Sequence, residues 1–212
     1  MRIDFIFDTV CIWSYIAKRR LDSALKCFPK VKASLIARPF FILPSPFFNF
    51  PLPPEMSPNA AEKTKILRDK VADIAKNEGI NINFDNLLPV TDSRPSHMLI
   101  QEAFRQNKGN IVMEDVFYSY FCSARDISNI GVLKEIADKN KIIFPSSAED
   151  FFNDKQNFHA ILPSGWKKSG IKAVPCLIFN KETMIFGAQS EKALKKMIEL
   201  YLCLKKEPRS NA

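Results

Sequence analysis

Four consecutive residues, Cys11-Ile12-Trp13-Ser14, hold the side chains best suited to nucleophilic chemistry. Ile3, Phe5 and Phe7 alternate with Asp4, Ile6 and Asp8 as in a buried strand, and that strand stops at Asp8-Thr9. Helical spacing begins at Cys11, so the thiol falls where a strand hands over to a helix. A thiol there faces unsatisfied backbone N–H groups and the positive end of the helix dipole, both of which favour thiolate. Such sites bring a cysteine from about 8.5 down to roughly 3.5–7.5. Cys11 is therefore expected to be a depressed-pKa nucleophile near neutral pH.

Other chemistries find less support. Cys27, Cys122, Cys176 and Cys203 complete an odd count of five at wide spacings, with no CxxC pair. This is neither a disulfide framework nor a zinc site, and it suits a reducing cytosol. No metal-ligand spacing, paired carboxylates or Ser/His/Asp set competes, so no metal is expected. His97 is a candidate acid/base near a groove, against a purely structural hydrogen-bonding role; His159 receives none. With 6 Gly and no GxGxxG or GxxxxGK[ST], nucleotide binding through such loops is excluded.

The net charge of +8 comes from short pairs and triplets, such as Lys18-Arg19-Arg20 and Lys195-Lys196, without finger or aromatic RNA-binding motifs. They read as solvated faces, so no nucleic-acid partner is expected. No apolar run approaches the length of a membrane span. Asp4 and Asp8 interrupt what a secretory signal would need, giving a cytoplasmic expectation.

The elements that must position Cys11 follow from periodicity. A helix is predicted from about Cys11 to Phe28, ended by Pro29, then a strand over 31–37, giving a parallel β-α-β unit. Residues 39–58 hold seven Pro interleaved with Phe40, Phe41, Phe47, Phe48 and Phe50. They read as an extended apolar loop, either a strap across the domain or the wall of a groove. Helices are predicted from Ser57 or Asn59 to Gly79, then at 95–107 (ending at Lys108-Gly109), 111–124, 129–140 capped by Ser128, and 147–160 capped by Ser147. A strand over 173–180, a hairpin partner over 182–187 and an amphipathic helix close the chain. The reading is an α/β fold: residues 1–58 and 166–212 form one small-sheet domain around an all-helical insertion, 59–165.

The order and motifs resemble the DsbA-like branch of the thioredoxin superfamily, closest to FrnE-like proteins. The chain is more distantly similar to 2-hydroxychromene-2-carboxylate isomerases and kappa-class glutathione transferases. The segments carrying the resemblance are Asp8 to Arg20, Arg38-Pro39-Phe40, Ser93-Arg94-Pro95-Ser96-His97, Gly170 to Pro175, and Phe186-Gly187-Ala188-Gln189. The resemblance implies a thioredoxin fold (β-α-β … β-β-α) and a cis bond at Val174-Pro175 facing the sulfur, where Val174 offers its backbone to an extended thiol substrate.

Two departures set the expected chemistry. Ile12 stands where the family has Pro, and Ser14 where it has its second cysteine. A hydroxyl cannot resolve a mixed disulfide, so the expectation is a monothiol thiol-disulfide oxidoreductase. Cys11 attacks, Ser14 donates a hydrogen bond to the thiolate, and an external thiol such as glutathione resolves the product. Trp13, Val174, Pro175, Gln189, Ser190 and His97 are the expected substrate or glutathione contacts. Gln189-Ser190 precedes the last helix, where a carboxylate would be welcome or where Ser190 is simply an N-cap. No tightly bound cofactor is expected, only glutathione as co-substrate. The partners are a thiol or disulfide peptide or glutathione, and the oligomeric state, a homodimer included, stays open. The alternatives are a glutathione-dependent isomerase or transferase and a non-catalytic peptide-binding module. A Cys11–Cys176 disulfide also stays open, while Cys27, Cys122 and Cys203 are expected as buried packing residues.

Overall fold

The computed structural model describes residues 1–42, 58–88, 91–156, 170–171 and 173–204, and for 58–61, 63, 64 and 204 the backbone alone. Strand β1 (Arg2–Phe7) is central: it runs parallel to β2 (Ser34–Pro39) and antiparallel to β3 (Cys176–Phe179), which pairs antiparallel with β4 (Thr183–Phe186). The order is β2-β1-β3-β4. Helix α1 (Ile12–Lys26) links β1 to β2. Between β2 and β3 come α2 (Pro58–Asn77), α3 (Arg94–Arg105), α4 (Gly109–Phe121), α5 (Ile130–Lys139) and α6 (Ala148–Asn153). Helix α7 (Glu191–Leu204) follows β4.

Alternation along β1 divides the interior. Ile3, Phe5 and Phe7 join Tyr15, Ile16 and Leu21 of α1, Val116 and Phe117 of α4, and Leu194 and Ile198 of α7 in one buried cluster. Ile6 projects to the other face, in a smaller cluster with Ile171 and Cys176. Asp4 shares that face and is clamped by Arg2 (2.7 Å) and Arg38 (2.8 Å).

Several boundaries differ from expectation for physical reasons. Strand β2 starts three residues late and runs to Pro39, opposite Phe7. It lies on the sheet edge, where a proline costs no ladder bond. Gly109, expected just past the end of α3, instead opens α4, and it must be glycine because a Cβ there would lie 2.2 Å from the Phe104 ring. Asn129, not Ser128, caps α5, accepting from the N–H groups of Gly131 and Val132. Ser147 caps α6 as expected, but that helix ends at Asn153. Cys27 and Cys203 are exposed and Cys122 is half-buried, so these three are not core residues; each lies at or near the end of a helix. Most of the Pro/Phe-rich segment (43–57) and His159 lie outside the described residues.

Candidate active site

The β1–α1 junction builds the site. Phe7 ends the strand, the Cys11 N–H donates to the Asp8 carbonyl (3.1 Å), and the N–H groups of Ser14 and Tyr15 return to the Cys11 carbonyl (2.9 and 3.2 Å). Cys11 is thereby the N-cap of α1, with extended backbone (φ −97, ψ 109) and no side-chain cap bond. A strand of five buried residues cannot end beside a long helix without a tight turn, and Asp8-Thr9-Val10 is that turn.

Across the sulfur, the Val174–Pro175 bond is cis. The Cys11 thiol points at the Val174 carbonyl oxygen in a long S–H···O contact of 3.9 Å. Val174 is half-buried and Pro175 buried. Trp13 is half-buried beside the turn and packs on the main core. Tyr15 turns inward, stacks on Phe117 and donates to Glu114 (2.6 Å).

The electrostatics correct the expected depressed thiol. Burial pushes Cys11 above its ordinary value; the Ser14 hydroxyl and N–H oppose this, the Asp8 carboxylate adds to it, and the Trp13 N–H opposes it. Cys11 is only 7% exposed, so desolvation outweighs the N–H groups of the helix end. Ser14 Oγ is fully buried and makes no hydrogen bond among the described residues. The hydroxyl therefore carries a donor that no described acceptor uses.

The other expected contacts are distributed unevenly. His97 does not face a groove. It is fully buried against Phe7 and Phe41, so it cannot touch a ligand from solvent, and the expected binding role is corrected. Gln189 donates its side-chain amide to the Phe186 carbonyl (2.6 Å), and Ser190 Oγ accepts from the Ala193 N–H (3.2 Å), the bond of an N-cap. Cys11 and Cys176 are both free thiols. Cys176 belongs to the cluster of Ile6 and Ile171, on the sheet face opposite Phe5 and Phe7, where burial raises it to about 11.

The sequence reading missed one participant. Asp8 is fully buried, accepts from the Ile42 N–H (2.5 Å), and lies 3.5 Å from His97 Nε2. The signal was there: a carboxylate closing an apolar strand three residues before a cysteine. Around it, Thr9 and Ser96 share a buried hydroxyl bond of 2.8 Å. Among the described residues no group of His, Cys, Asp and Glu could hold a metal, and no helix is long and apolar enough to cross a membrane.

Comparison with known proteins agrees with this geometry. Residues 2–199 match the DSBA-like thioredoxin domain. The Bacillus subtilis (strain 168) protein YwbO, itself uncharacterized, is 26% identical over 200 residues, spanning 90% of this chain and 92% of its own. A crystal structure described as a probable DsbA oxidoreductase of Streptomyces coelicolor superposes with a TM-score of 0.79 at 17% identity, covering 100% of this chain and 93% of its own. The cytosolic disulfide reductase DsbM of Pseudomonas aeruginosa, solved alone and with GSH, gives 0.69 at 15% identity in the first form, covering 96% and 100%. A 2-hydroxychromene-2-carboxylate isomerase gives 0.72 at 14% identity, covering 97% and 98%. At these identities the structures share the thioredoxin fold.

Proposed function

The chain belongs to the DSBA-like thioredoxin domain family, and on that premise we propose that it is a thiol-disulfide oxidoreductase working through the single thiol of Cys11, with glutathione as co-substrate. The observation that carries this reading is the meeting of three groups. They are a thiol at the N-cap of α1, a buried hydroxyl one turn inside that has no hydrogen-bond partner among the described residues, and the Val174 carbonyl 3.9 Å from the sulfur.

Cys11 Sγ attacks one sulfur of a substrate disulfide, R–S–S–R′. The S–S bond breaks, R′S⁻ leaves with the bonding pair and takes a proton, and Cys11 is left in a mixed disulfide with RS. Ser14 Oγ donates to the sulfur while it is anionic, replacing hydration that the buried site withholds. A glutathione thiolate then attacks the mixed disulfide, expelling Cys11 as thiolate; a second glutathione completes reduction to RSH and oxidised glutathione. Val174 presents its backbone to the extended substrate in the manner of an added strand, with Pro175 fixing the turn and Trp13 walling the approach. Gln189 and Ser190, at the start of α7, offer a place for a substrate carboxylate. The GSH-bound form of DsbM, a cytosolic protein of the same fold, supports both the co-substrate and a cytoplasmic location.

The test is glutathione-dependent reduction of a small mixed disulfide such as hydroxyethyl disulfide, followed through glutathione reductase. Wild-type turnover that disappears in Cys11→Ala is the expected result; equal rates in the two proteins overturn the reading.

A further inference from the structure

The triplet Lys18-Arg19-Arg20, read from the sequence as a solvated face, does not face solvent as a unit. Lys18 is buried and pairs with Asp22 one turn on (2.5 Å). Arg19 reaches Glu114 of α4 (3.1 Å) and the Glu78 carbonyl (3.1 Å). Arg20 joins two other elements: Nε donates to Glu78 Oε1 (2.6 Å) and Nη1 to the Ala188 carbonyl (2.8 Å). The side chains of Arg20 and Glu78 are each 17% exposed, so salt and water screen this pair far less than a surface one.

Ala188 lies in the link 187–190 between β4 and α7. One end of the link meets the docking turn, because the Gly187 N–H donates to the Pro175 carbonyl (2.8 Å). Pro175 follows Val174, whose own carbonyl faces Cys11 Sγ. Other bonds of the link are local: the Gln189 N–H returns to the Gly187 carbonyl (3.0 Å), and its side chain to the Phe186 carbonyl (2.6 Å). Local bonds fix the shape of the link but not its place relative to α1. Among the described residues, two side chains of α1 supply polar ties: Ser23 Oγ to Glu191 Oε2 (2.7 Å), at the first residue of α7, and Arg20 to the Ala188 carbonyl. Of the two, Arg20 holds the link itself.

We propose that Arg20 is a positioning residue for the co-substrate: braced by Glu78, it holds the Ala188 carbonyl and so sets Gln189 and Ser190 where glutathione, seated at Cys11, can reach them. The inference rests on the glutathione reading and deepens it. The role of Arg20 is indirect, exerted through the backbone next to the proposed contacts.

The guanidinium suits this role. It is planar, always charged, and its N–H groups leave in fixed directions. Anchoring Nε on Glu78 orients the plane, and Nη1 is then aimed at the carbonyl. A lysine ammonium is a point charge on a flexible stem and does not reproduce that fork. Glu78 stands just past α2 and grips α1 twice, with its carboxylate on Arg20 and its carbonyl on Arg19. A Cβ on Gly79 would lie 3.0 Å from Arg19 Nη2, so the turn fits closely against α1. The helical insertion thus helps to place the co-substrate through a residue about 13 Å along the helix from Cys11.

The experiment titrates S-methylglutathione, which has no free thiol to react, into wild type, Arg20→Ala and Arg20→Lys by calorimetry. Turnover of hydroxyethyl disulfide and alkylation of Cys11 by iodoacetamide are followed in parallel. Arg20→Ala is expected to bind about tenfold more weakly, the scale of one hydrogen bond from a charged group. Its KM for glutathione should rise by the same factor at unchanged kcat, the signature of lost binding rather than lost chemistry. Alkylation of Cys11 should keep the wild-type rate, since a small uncharged reagent needs no placement by the link. Arg20→Lys should fall between the two. Should Arg20→Ala not fold, Glu78→Gln, which releases the guanidinium without removing it, carries the test with the same signs. Equal affinity in wild type and Arg20→Ala, no binding to wild type, or weaker binding accompanied by faster alkylation of Cys11 overturns the proposal, the last marking a merely structural role. Binding needs no turnover, so a wild type that binds S-methylglutathione yet reduces no disulfide removes the redox reading while the titration still decides the role of Arg20.

Discussion

Cys11 Sγ and the Val174 carbonyl oxygen stand 3.9 Å apart although 163 residues separate them in the chain. The sheet makes this possible. β1 and β3 pair antiparallel with Ile6 opposite Cys176, so the residues just beyond Ile6 and just before Cys176 emerge at the same end. Cys11 sits on the turn leaving one strand and Val174 on the segment entering the other.

Burial at that junction fixes how the thiols should react. Because desolvation raises Cys11, its thiolate fraction grows as pH climbs past neutrality, and its alkylation should accelerate steadily from pH 7 into alkali. The exposed Cys27 and Cys203 should react readily in the folded protein, and the fully buried Cys176 only after unfolding. Peptide mapping after timed iodoacetamide exposure checks the order; a Cys176 that reacts as fast as Cys27 contradicts it.

Ser14 offers a paired test. If the Ser14 hydroxyl serves the Cys11 thiolate, Ser14→Ala, which opens no large cavity, should slow reaction of Cys11 at neutral pH by about tenfold, the size of one hydrogen bond to a charged group. Ser14→Cys should restore a resolving thiol, so that the variant forms an internal disulfide and oxidises a reduced peptide, as wild type does not. Quantifying free thiols after mild oxidation reads the second outcome.

How far the sequence reached can be judged at this same site. Strand alternation at Ile3, Phe5 and Phe7 and helical spacing from Ile16 onward are local signals, and they located the β1–α1 junction to within a residue. The balance between helix-end N–H groups and desolvation is not local. Seven per cent exposure at Cys11 depends on what packs over it, so a thiol expected to be depressed proves raised. His97 went astray for a related reason: its burial is set by Phe7 and Phe41 from two other segments. Ser190 lay within reach, since its N-cap bond to Ala193 is a short-range pattern.

Asp4 should matter for stability rather than chemistry. Burial works against its ionised form, but the bonds from Arg2 and Arg38 prevail and hold it below its usual range. A group lowered on folding stabilises the protein above its unfolded value of 3.8, and that contribution disappears as pH falls through the lower folded one. Asp4→Ala should cost about 2 kcal/mol at neutral pH, the scale for hydrogen bonds to a charged group. It should cost little in strong acid, which urea unfolding at the two pH values measures.

Alkali should act through Cys176 with the opposite sign. Its folded value is raised from 9.0 to about 11 by burial, so its stabilising contribution is whole below the unfolded value and lost as pH rises through the folded one. Buried Tyr15 and Tyr120, also raised, extend the decline beyond that window. The melting temperature should therefore fall between pH 9 and 11, and Cys176→Val should flatten the fall.

The most direct measurement is to incubate the reduced protein with oxidised glutathione, quench in acid and map the adducts by tandem mass spectrometry, comparing wild type with Cys11→Ala. A glutathione mixed disulfide on the Cys11 peptide, released by added thiol, is the predicted result. Adducts confined to the exposed Cys27 and Cys203, with Cys11 unmodified after prolonged exposure in mild alkali, would contradict it.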